Sequence, residues 1–292
     1  MSGSTAAFTA LVLAGRRGSS DEFADALAAA DASGHHALLD VAGVPMLVRV
    51  VRTLKACPCI GRILVSIDEP AVLAGVPELS AALDDGSLGC HTALDSPSRS
   101  VHDVLTGTAA GERVLVVTAD HALLTPEMVE HVAKRANGDD DLLVALVAAT
   151  TLRAAYPKSK RTYLKFRDDW FSGANLFAFL TPAAAGAAEF WVRAERFRKQ
   201  PWKLVGTFGP ISLLLFLSRR LSLDAAFERI SQALGVRVRA VRMPWAEAAI
   251  DVDRSADLEL VIRILADRRS DPSHAPGTGA AHVAGETGAV FK

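Results

Sequence analysis

The chain is poor in cysteine, and this scarcity excludes two common kinds of architecture. Its 292 residues include only Cys57, Cys59 and Cys90, which form neither an even disulfide set nor a zinc-binding spacing. One residue separates Cys57 from Cys59, whereas the redox Cys-x-x-Cys motif needs two. We therefore expect free thiols in a reducing compartment.

The sequence also lacks a strong net charge and a long apolar run. A formal net charge of −1 gives no overall positive field that would attract nucleic acid. The longest later apolar run, Ile211 to Leu217, is far shorter than the roughly 20 residues that span a bilayer. The N-terminal segment has no basic region followed by a long apolar core, so no signal peptide is expected. These absences predict a soluble, cytoplasmic protein that does not bind nucleic acid.

Apolar strands alternate with helical segments over the first half of the chain. The strand-like runs are TALVLAG, GRILVSID, ERVLVVTAD and DLLVALVAAT. Between them lie helical patterns such as VPMLVRVVRTLKAC and TPEMVEHVAKRAN, the second with Thr125 as its N-cap. This rhythm predicts an α/β fold with a doubly wound, mostly parallel sheet.

The second half of the chain has a looser pattern. TYLKF and ANLFAFL predict two short strands, joined as a hairpin across RDDWFSG, and residues 182–234 predict a helical insertion. VRVRAVRM resumes as a strand and SADLELVIRILADRR as an amphipathic helix. We predict one domain over residues 1–269. Residues 270–292, rich in Gly, Ala, Pro and polar side chains, are expected to form a disordered tail.

A glycine-rich turn follows the first strand, with the sequence Ala14-Gly15-Arg16-Arg17-Gly18. The glycines would let backbone N–H groups approach a phosphate, and an arginine would neutralise its charge through paired hydrogen bonds. The turn matches neither G-x-G-x-x-G nor G-K-[ST]. An ordinary glycine turn after a strand is the alternative interpretation.

Acidic residues stand at two distant points where a metal site is plausible. Asp120 closes a buried strand, and a carboxylate there is well placed to hold a divalent cation. Asp251 and Asp253 are separated by one residue, so both side chains lie on the same face of an extended segment. For Asp120 the alternative is a turn or helix-capping role. Asp257 is expected to serve the N-terminus of the last helix.

The order of these motifs resembles one family. A strand followed by L-x-A-G-x-x-x-G, then VAGVPML, TADHALLTPEMV and IDVDRSADLELV, is similar to the nucleotidyltransferases of the molybdenum-cofactor guanylyltransferase-like superfamily. That group includes sugar-phosphate and alditol-phosphate cytidylyltransferases. The resemblance covers Ala7 to about Arg268 and implies a three-layer α/β/α domain with a mixed, mostly parallel sheet.

The resemblance implies a nucleotide site and a metal site. The turn around the nucleoside triphosphate would comprise Leu13, Ala14, Gly15 and Gly18. Asp120 and Asp253 would hold Mg²⁺, with Asp251 as the alternative ligand. Asn175, in FSGANLF, would contact the second substrate. A serine at the position of Ser100 lies near the base in the cytidylyltransferase branch, which favours CTP over GTP.

The chain departs from the family pattern at His36, where a lysine usually meets the phosphates. A neutral imidazole stabilises a phosphoryl transition state less than a fixed cation does. We hypothesise that Arg16 and Arg17 compensate. His35 and His36 are alternatively ordinary loop residues.

The resemblance implies a Mg²⁺-dependent enzyme that moves an NMP group from CTP or GTP to a small phosphorylated acceptor and releases pyrophosphate. The alternative, motivated by His36, is a nucleotide-binding or regulatory protein that lost efficient catalysis. A glycosyltransferase of related fold would carry a D-x-D motif, which the segment Thr118 to Ala122 lacks.

Basic and aromatic residues cluster around residues 190–220. They are Phe190, Trp191, Arg193, Arg196, Phe197, Arg198, Lys199, Trp202 and Lys203. We interpret this stretch as a helical cap on the sheet. A weak contact with an anionic membrane surface and a homodimer interface are the alternatives.

Overall fold

The structure is a computed structural model that describes residues 7–15, 34–109, 111–136, 138–194 and 209–270. The strands are β1 (Phe8–Leu13), β2 (Asp40–Val41), β3 (Val44–Pro45), β4 (Ile60–Ile67), β5 (Leu88–Thr92), β6 (Arg113–Thr118), β7 (Leu142–Ala148), β8 (Leu164–Lys165), β9 (Trp170–Phe179) and β10 (Val238–Met243). The helices are α1 (Met46–Lys55), α2 (Ala71–Ala74), α3 (Pro77–Asp84), α4 (Pro97–Gly107), α5 (Pro126–Ala133), α6 (Ala149–Ala155), α7 (Ala184–Ala194), α8 (Pro210–Leu217), α9 (Leu223–Leu234) and α10 (Ser255–Ser270).

An eight-stranded sheet forms the centre, in the order β10-β7-β9-β6-β1-β4-β5, with β8 paired to β9. β1 runs parallel to β4 and β6, β4 to β5, and β7 to β10. β9 is antiparallel to β6, β7 and β8. The predicted mixed, mostly parallel sheet is confirmed.

Helices cover both faces of this sheet. On β1, Ala10 and Val12 pack into a core shared with α1, α3, α5 and α10, while Leu11 packs into a core shared with α4, α7 and α9. A strand buried on both faces must be apolar throughout, which explains its continuous apolar run. Because β1, β4, β5 and β6 are parallel, the loops that follow them emerge at one edge of the sheet. We call this the carboxyl edge.

Three element predictions need correction. β5 was not predicted, because its sequence LGCHT has neither an apolar run nor a clear alternation. The strand predicted to reach Thr150 ends at Ala148, where α6 begins. Trp170 to Gly173, predicted as part of the hairpin turn, belongs to β9.

The predicted helical insertion contains α7, α8 and α9. Trp191 on α7 packs against Phe177 on β9 with ring centroids 4.9 Å apart, so α7 caps the sheet. The structure does not describe the side chain of Arg193, and the other basic residues predicted to contact a membrane, Arg196 to Lys203, lie outside the described part of the chain, as do residues 271–292 of the predicted tail. Among the described residues, no helix is both long and apolar enough to cross a bilayer. The three cysteines are free, as predicted.

Candidate active site at the carboxyl edge

Three carboxylates from distant parts of the chain meet at the carboxyl edge. Asp120 follows β6, and Asp251 and Asp253 lie on the extended segment before α10. One carboxylate oxygen from each lies within 4.8 Å of the others. Asp120 is buried, with 8% of its surface exposed. The structure therefore brings together the residues that the sequence singled out as metal ligands.

Backbone and side-chain hydrogen bonds hold this acidic cluster in place. The Val252 N–H donates to the Asp120 carbonyl oxygen at 3.2 Å, which ties the two loops together. The Thr118 hydroxyl donates to Oδ1 of Asp120. These hydrogen bonds fix the cluster between the end of β6 and the extended segment before α10.

Arg161 contributes a buried cation that the sequence did not indicate. Its side chain is 6% exposed and forms ion pairs with Asp251 and, at 2.9 Å, with Asp257. It also donates to the Asp251 carbonyl oxygen at 3.1 Å. Burial raises the pKa of Asp257, and Arg161 opposes that shift. Asp257 lies in the first turn of α10, where it was expected to serve the helix N-terminus, and its carboxylate also pairs with Arg161.

Asn175 joins the cluster from β9. Its backbone has φ of 47°, in the left-handed region that few non-glycine residues adopt. Its Nδ2 donates to Oδ2 of Asp251 at 3.0 Å. Arg161 and Asn175 thus both hold Asp251, and the predicted contact of Asn175 with a second substrate stays a prediction.

His35 and His36 lie near the acidic cluster and contact different loops. Nε2 of His36, predicted to replace a lysine, lies 3.2 Å from the carbonyl oxygen of Val252, between Asp251 and Asp253. His35 is fully buried and its Nδ1 accepts a hydrogen bond from the Ala37 N–H. Nε2 of His35 therefore carries the proton and donates to Asp68 at 3.1 Å. Both rings contact loops of the carboxyl edge.

A further histidine, His121, follows Asp120 directly. The ring is 1% exposed, and burial lowers its pKa to about 4, against the opposing effects of Asp251 and the Glu247 backbone. His121 is therefore neutral at pH 7 and adds no positive charge beside the carboxylates.

A pocket opens at the same edge, after β1 and β5. Its lining residues are Leu13, Gly15, Ser66, Ala93, Leu94, Pro97 and Ser100. Leu13, Gly15 and Ser100 were predicted at a nucleotide site. Ala14 is instead 5% exposed and packs into the core, so its side chain does not line the pocket. Arg16, Arg17 and Gly18 lie outside the described residues.

Gly15 and Ser100 shape this pocket. A Cβ on Gly15 would stand 2.8 Å from the Cβ of Ala93, too close for a side chain. Ser100 is 2% exposed, and its hydroxyl accepts from the Leu94 N–H at 2.9 Å and donates to the Ser96 carbonyl at 3.2 Å. The serine therefore fixes the loop that forms the pocket wall.

Comparison with known proteins relates this architecture to nucleotide chemistry. Residues 10–237 match the family model of the MobA-like NTP transferase domain. A search of the curated proteins found no match. A hypothetical transferase from Thermus thermophilus is 28% identical, with a TM-score of 0.68 over 86% of this chain and 99% of that one.

Two more distant structures share the fold. A putative glucose-1-phosphate thymidylyltransferase from Bacillus anthracis, in complex with a sucrose, is 12% identical with a TM-score of 0.57, over 89% of this chain and 96% of its own. A CMP:2-keto-3-deoxy-manno-octonic acid synthetase complexed with CTP is 14% identical with a TM-score of 0.54, over 90% of this chain and 100% of its own.

Proposed function

The chain belongs to the family of MobA-like NTP transferase domains, and we propose that it is a Mg²⁺-dependent nucleotidyltransferase. It would move an NMP group from CTP or GTP to a small phosphorylated acceptor and release pyrophosphate. The observation that carries this proposal is the meeting of Asp120, Asp251 and Asp253 at the edge of the sheet where the Gly15 pocket opens. The fold shared with a synthetase that was solved with CTP supports a nucleotide substrate.

The acidic cluster fits Mg²⁺ by its chemistry. Its donors are carboxylate oxygens, which this hard cation prefers, and one of them belongs to the buried Asp120. Asp120 and Asp253 would hold the ion, as the family resemblance implies, and Asp251, whose carboxylate Arg161 and Asn175 contact, is the alternative ligand. When bound, Mg²⁺ would supply positive charge to the triphosphate.

The pocket would receive the nucleoside. Gly15 lets Ala93 pack directly against the backbone after β1, because its missing Cβ would stand where Ala93 lies, and the nucleotide would lie along the wall that these two segments form. Arg16 and Arg17 would then face the phosphates, which remains the role proposed for them. His36, whose Nε2 contacts the Val252 carbonyl, would support the loop of Asp251 and Asp253 in place of the usual lysine.

The chemistry needs no side-chain nucleophile, because a phosphate monoester is already anionic. An oxygen of the acceptor phosphate attacks the α-phosphorus and forms the new P–O bond. The bond from the α-phosphorus to the bridging oxygen breaks, and pyrophosphate leaves with the electron pair. The chain contributes positioning and a fixed electrostatic environment. Arg161 and Asn175 would orient Asp251 within that environment.

Pyrophosphate release, measured with each NTP, Mg²⁺ and a panel of acceptor phosphates, tests the proposal. We expect Asp120→Asn to lower kcat by about 10²–10³-fold, as loss of other preorganised electrostatic groups does. Asp139→Asn, at a carboxylate that is 95% exposed, is the matched control and should retain full activity. Unaltered kinetics in Asp120→Asn would remove that residue from the site. NTP binding without turnover on any acceptor would favour the regulatory alternative.

A further inference from the structure

A chain of three side chains ends at the wall of the pocket. Nδ1 of His91 lies 2.9 Å from the Ser66 hydroxyl oxygen, and Nε2 of His91 lies 3.1 Å from Oδ2 of Asp103. Ser66 is 1% exposed and lines the pocket.

The fold fixes this chain through strand register. Ser66 on β4 and His91 on β5 are direct partners in the parallel ladder, so their side chains leave the sheet on the same face. Helix α4 covers that face through Val101 and Val104, which share a core with Leu64 of β4. Asp103 lies on α4 between those two contacts and so reaches the imidazole.

The carboxylate of Asp103 sets the direction of every hydrogen bond in the chain. An ionised carboxylate only accepts, so Nε2 of His91 must carry the proton. In the neutral imidazole Nδ1 is then a bare acceptor, and the Ser66 hydroxyl must donate its only proton to it. The Ser66 oxygen is left with lone pairs and no proton to offer a ligand.

The other hydroxyl in the pocket wall has the same character. The Ser100 hydroxyl donates its proton to the Ser96 carbonyl oxygen. Both side-chain oxygens that line the pocket, those of Ser66 and Ser100, are therefore acceptors. A ligand that placed its own acceptor against Ser66 would leave two oxygens facing each other in a buried site, which is costly.

We propose that Ser66 selects a nucleobase that presents an N–H donor, namely an exocyclic amino group, and that the pocket therefore prefers cytosine to uracil. These bases differ at C4, where cytosine carries an amino donor and uracil a carbonyl acceptor. Ser66 is a specificity-determining residue, and His91 and Asp103 are positioning residues. This inference rests on the proposed function, since it assumes that the pocket holds the base.

Binding of CTP and UTP, measured by calorimetry with Mg²⁺ at pH 8 and without an acceptor, tests the inference apart from catalysis. The wild-type protein should bind CTP at least about tenfold more tightly than UTP, which is the effect of one buried hydrogen bond. Ser66→Ala should bring the two dissociation constants to within about threefold. Ser212→Ala, at a serine of α8 that is 2% exposed, should keep the wild-type ratio.

A second variant tests the positioning role of Asp103. In Asp103→Asn the amide can donate to Nε2, which permits the other imidazole tautomer and lets Ser66 donate into the pocket. The CTP-to-UTP preference should fall several-fold while the melting temperature changes little, and Asp84→Asn is the exposed control. A role in stability alone would move the melting temperature and not the ratio.

The outcomes separate this inference from the proposed function. Equal binding of CTP and UTP by the wild-type protein overturns the inference and leaves nucleotidyl transfer standing. No binding of any NTP overturns both. If Ser66→Ala fails to fold, CTP is compared with its analogue that lacks the 4-amino group, on the wild-type protein. Equal affinity for these two would refute the role of Ser66.

Discussion

At Gly15, one missing carbon sets the width of the pocket. Because an added Cβ would stand 2.8 Å from the Cβ of Ala93, Gly15→Ala must push β1 and the loop after β5 apart. We expect a loss of about 1–2 kcal/mol in the free energy of unfolding and a loss of about tenfold or more in NTP affinity. Denaturant titration and calorimetry measure these quantities.

The double variant Gly15→Ala/Ala93→Gly is the control for this prediction. It removes the carbon that the new side chain would strike, so it should recover most of both losses. If the double variant is as weak as Gly15→Ala alone, contact with Ala93 is not the cause.

Asn175 combines an unfavourable backbone with a functional side chain, and two substitutions separate the two effects. Asn175→Gly and Asn175→Ala both remove the carboxamide that holds Asp251, so each should lower kcat about tenfold. Only glycine adopts φ of 47° without a Cβ penalty, so the alanine variant should be less stable by about 1 kcal/mol. Urea denaturation of both proteins measures the difference. Equal stability would show that the backbone at this position is not strained.

Residues differ in how far the sequence could predict their roles. Asp120, Asp251 and Asp253 were predictable as site residues, because the ends of parallel strands meet at one edge of a sheet and every second residue of an extended segment lies on the same face. Arg161 was not, because it lies in an irregular stretch and its partner Asp251 is ninety residues away in the chain. Only the fold could bring that cation to that carboxylate.

At the scale of elements, one carboxylate ties the ends of three neighbouring strands. Asp141, just before β7, accepts from the Thr181 hydroxyl after β9 at 2.6 Å and from the Arg237 N–H before β10 at 2.8 Å. Burial alone would raise the pKa of Asp141, but these hydrogen bonds and the Arg237 charge lower it below its usual value. The ionised form therefore stabilises this side of the sheet.

This linkage predicts a pH-dependent cost for Asp141→Asn. At pH 7 the variant should lose about 1–3 kcal/mol in the free energy of unfolding, because hydrogen bonds to a charged acceptor are lost. A lowered folded pKa means that the wild-type advantage is complete above the unfolded pKa of about 4 and disappears as the pH falls through the folded value. Urea denaturation from pH 7 to pH 2.5 measures the gap between the two proteins.

Asp139→Asn is the control for Asp141, since it changes an exposed carboxylate two residues away whose 3.9 Å ion pair with Arg237 is screened by solvent, and its gap should be far smaller than that of Asp141→Asn. A gap for Asp141→Asn that stays constant into acid would mean that the ionisation of Asp141 does not contribute. Sequence patterns could not have revealed this linkage, because Asp141 reads as one of several aspartates before a strand. Strand β5 was missed for a related reason, since its partner β4, and not its own composition, makes it a strand.

At the scale of the whole molecule, the acidic cluster forms only when segments that are far apart in the sequence fold against each other. The family match ends at residue 237, whereas Asp251 and Asp253 lie beyond it, so two of the three carboxylates come from a segment outside the matched range. Without a cation, three carboxylates held within 4.8 Å of one another repel one another, and Arg161 offsets part of this repulsion through its ion pair with Asp251. The fold thus accepts an electrostatic cost that a bound cation would remove.

Asp253→Asn tests this balance between stability and metal binding. In EDTA the variant should be as stable as the wild-type protein or more stable by about 0.5–1 kcal/mol, because one repulsive charge is gone. With Mg²⁺ and NTP the wild-type protein should gain about 2–3 kcal/mol, as expected for ligand near a hundred times its Kd, and the variant should gain little. Thermal melting in both conditions measures the two effects, with Asp139→Asn as the exposed control. If the variant keeps the full Mg²⁺-dependent gain in stability, Asp253 is not a ligand. If the variant melts well below the wild-type protein in EDTA, the carboxylate of Asp253 stabilises the fold rather than binding the cation.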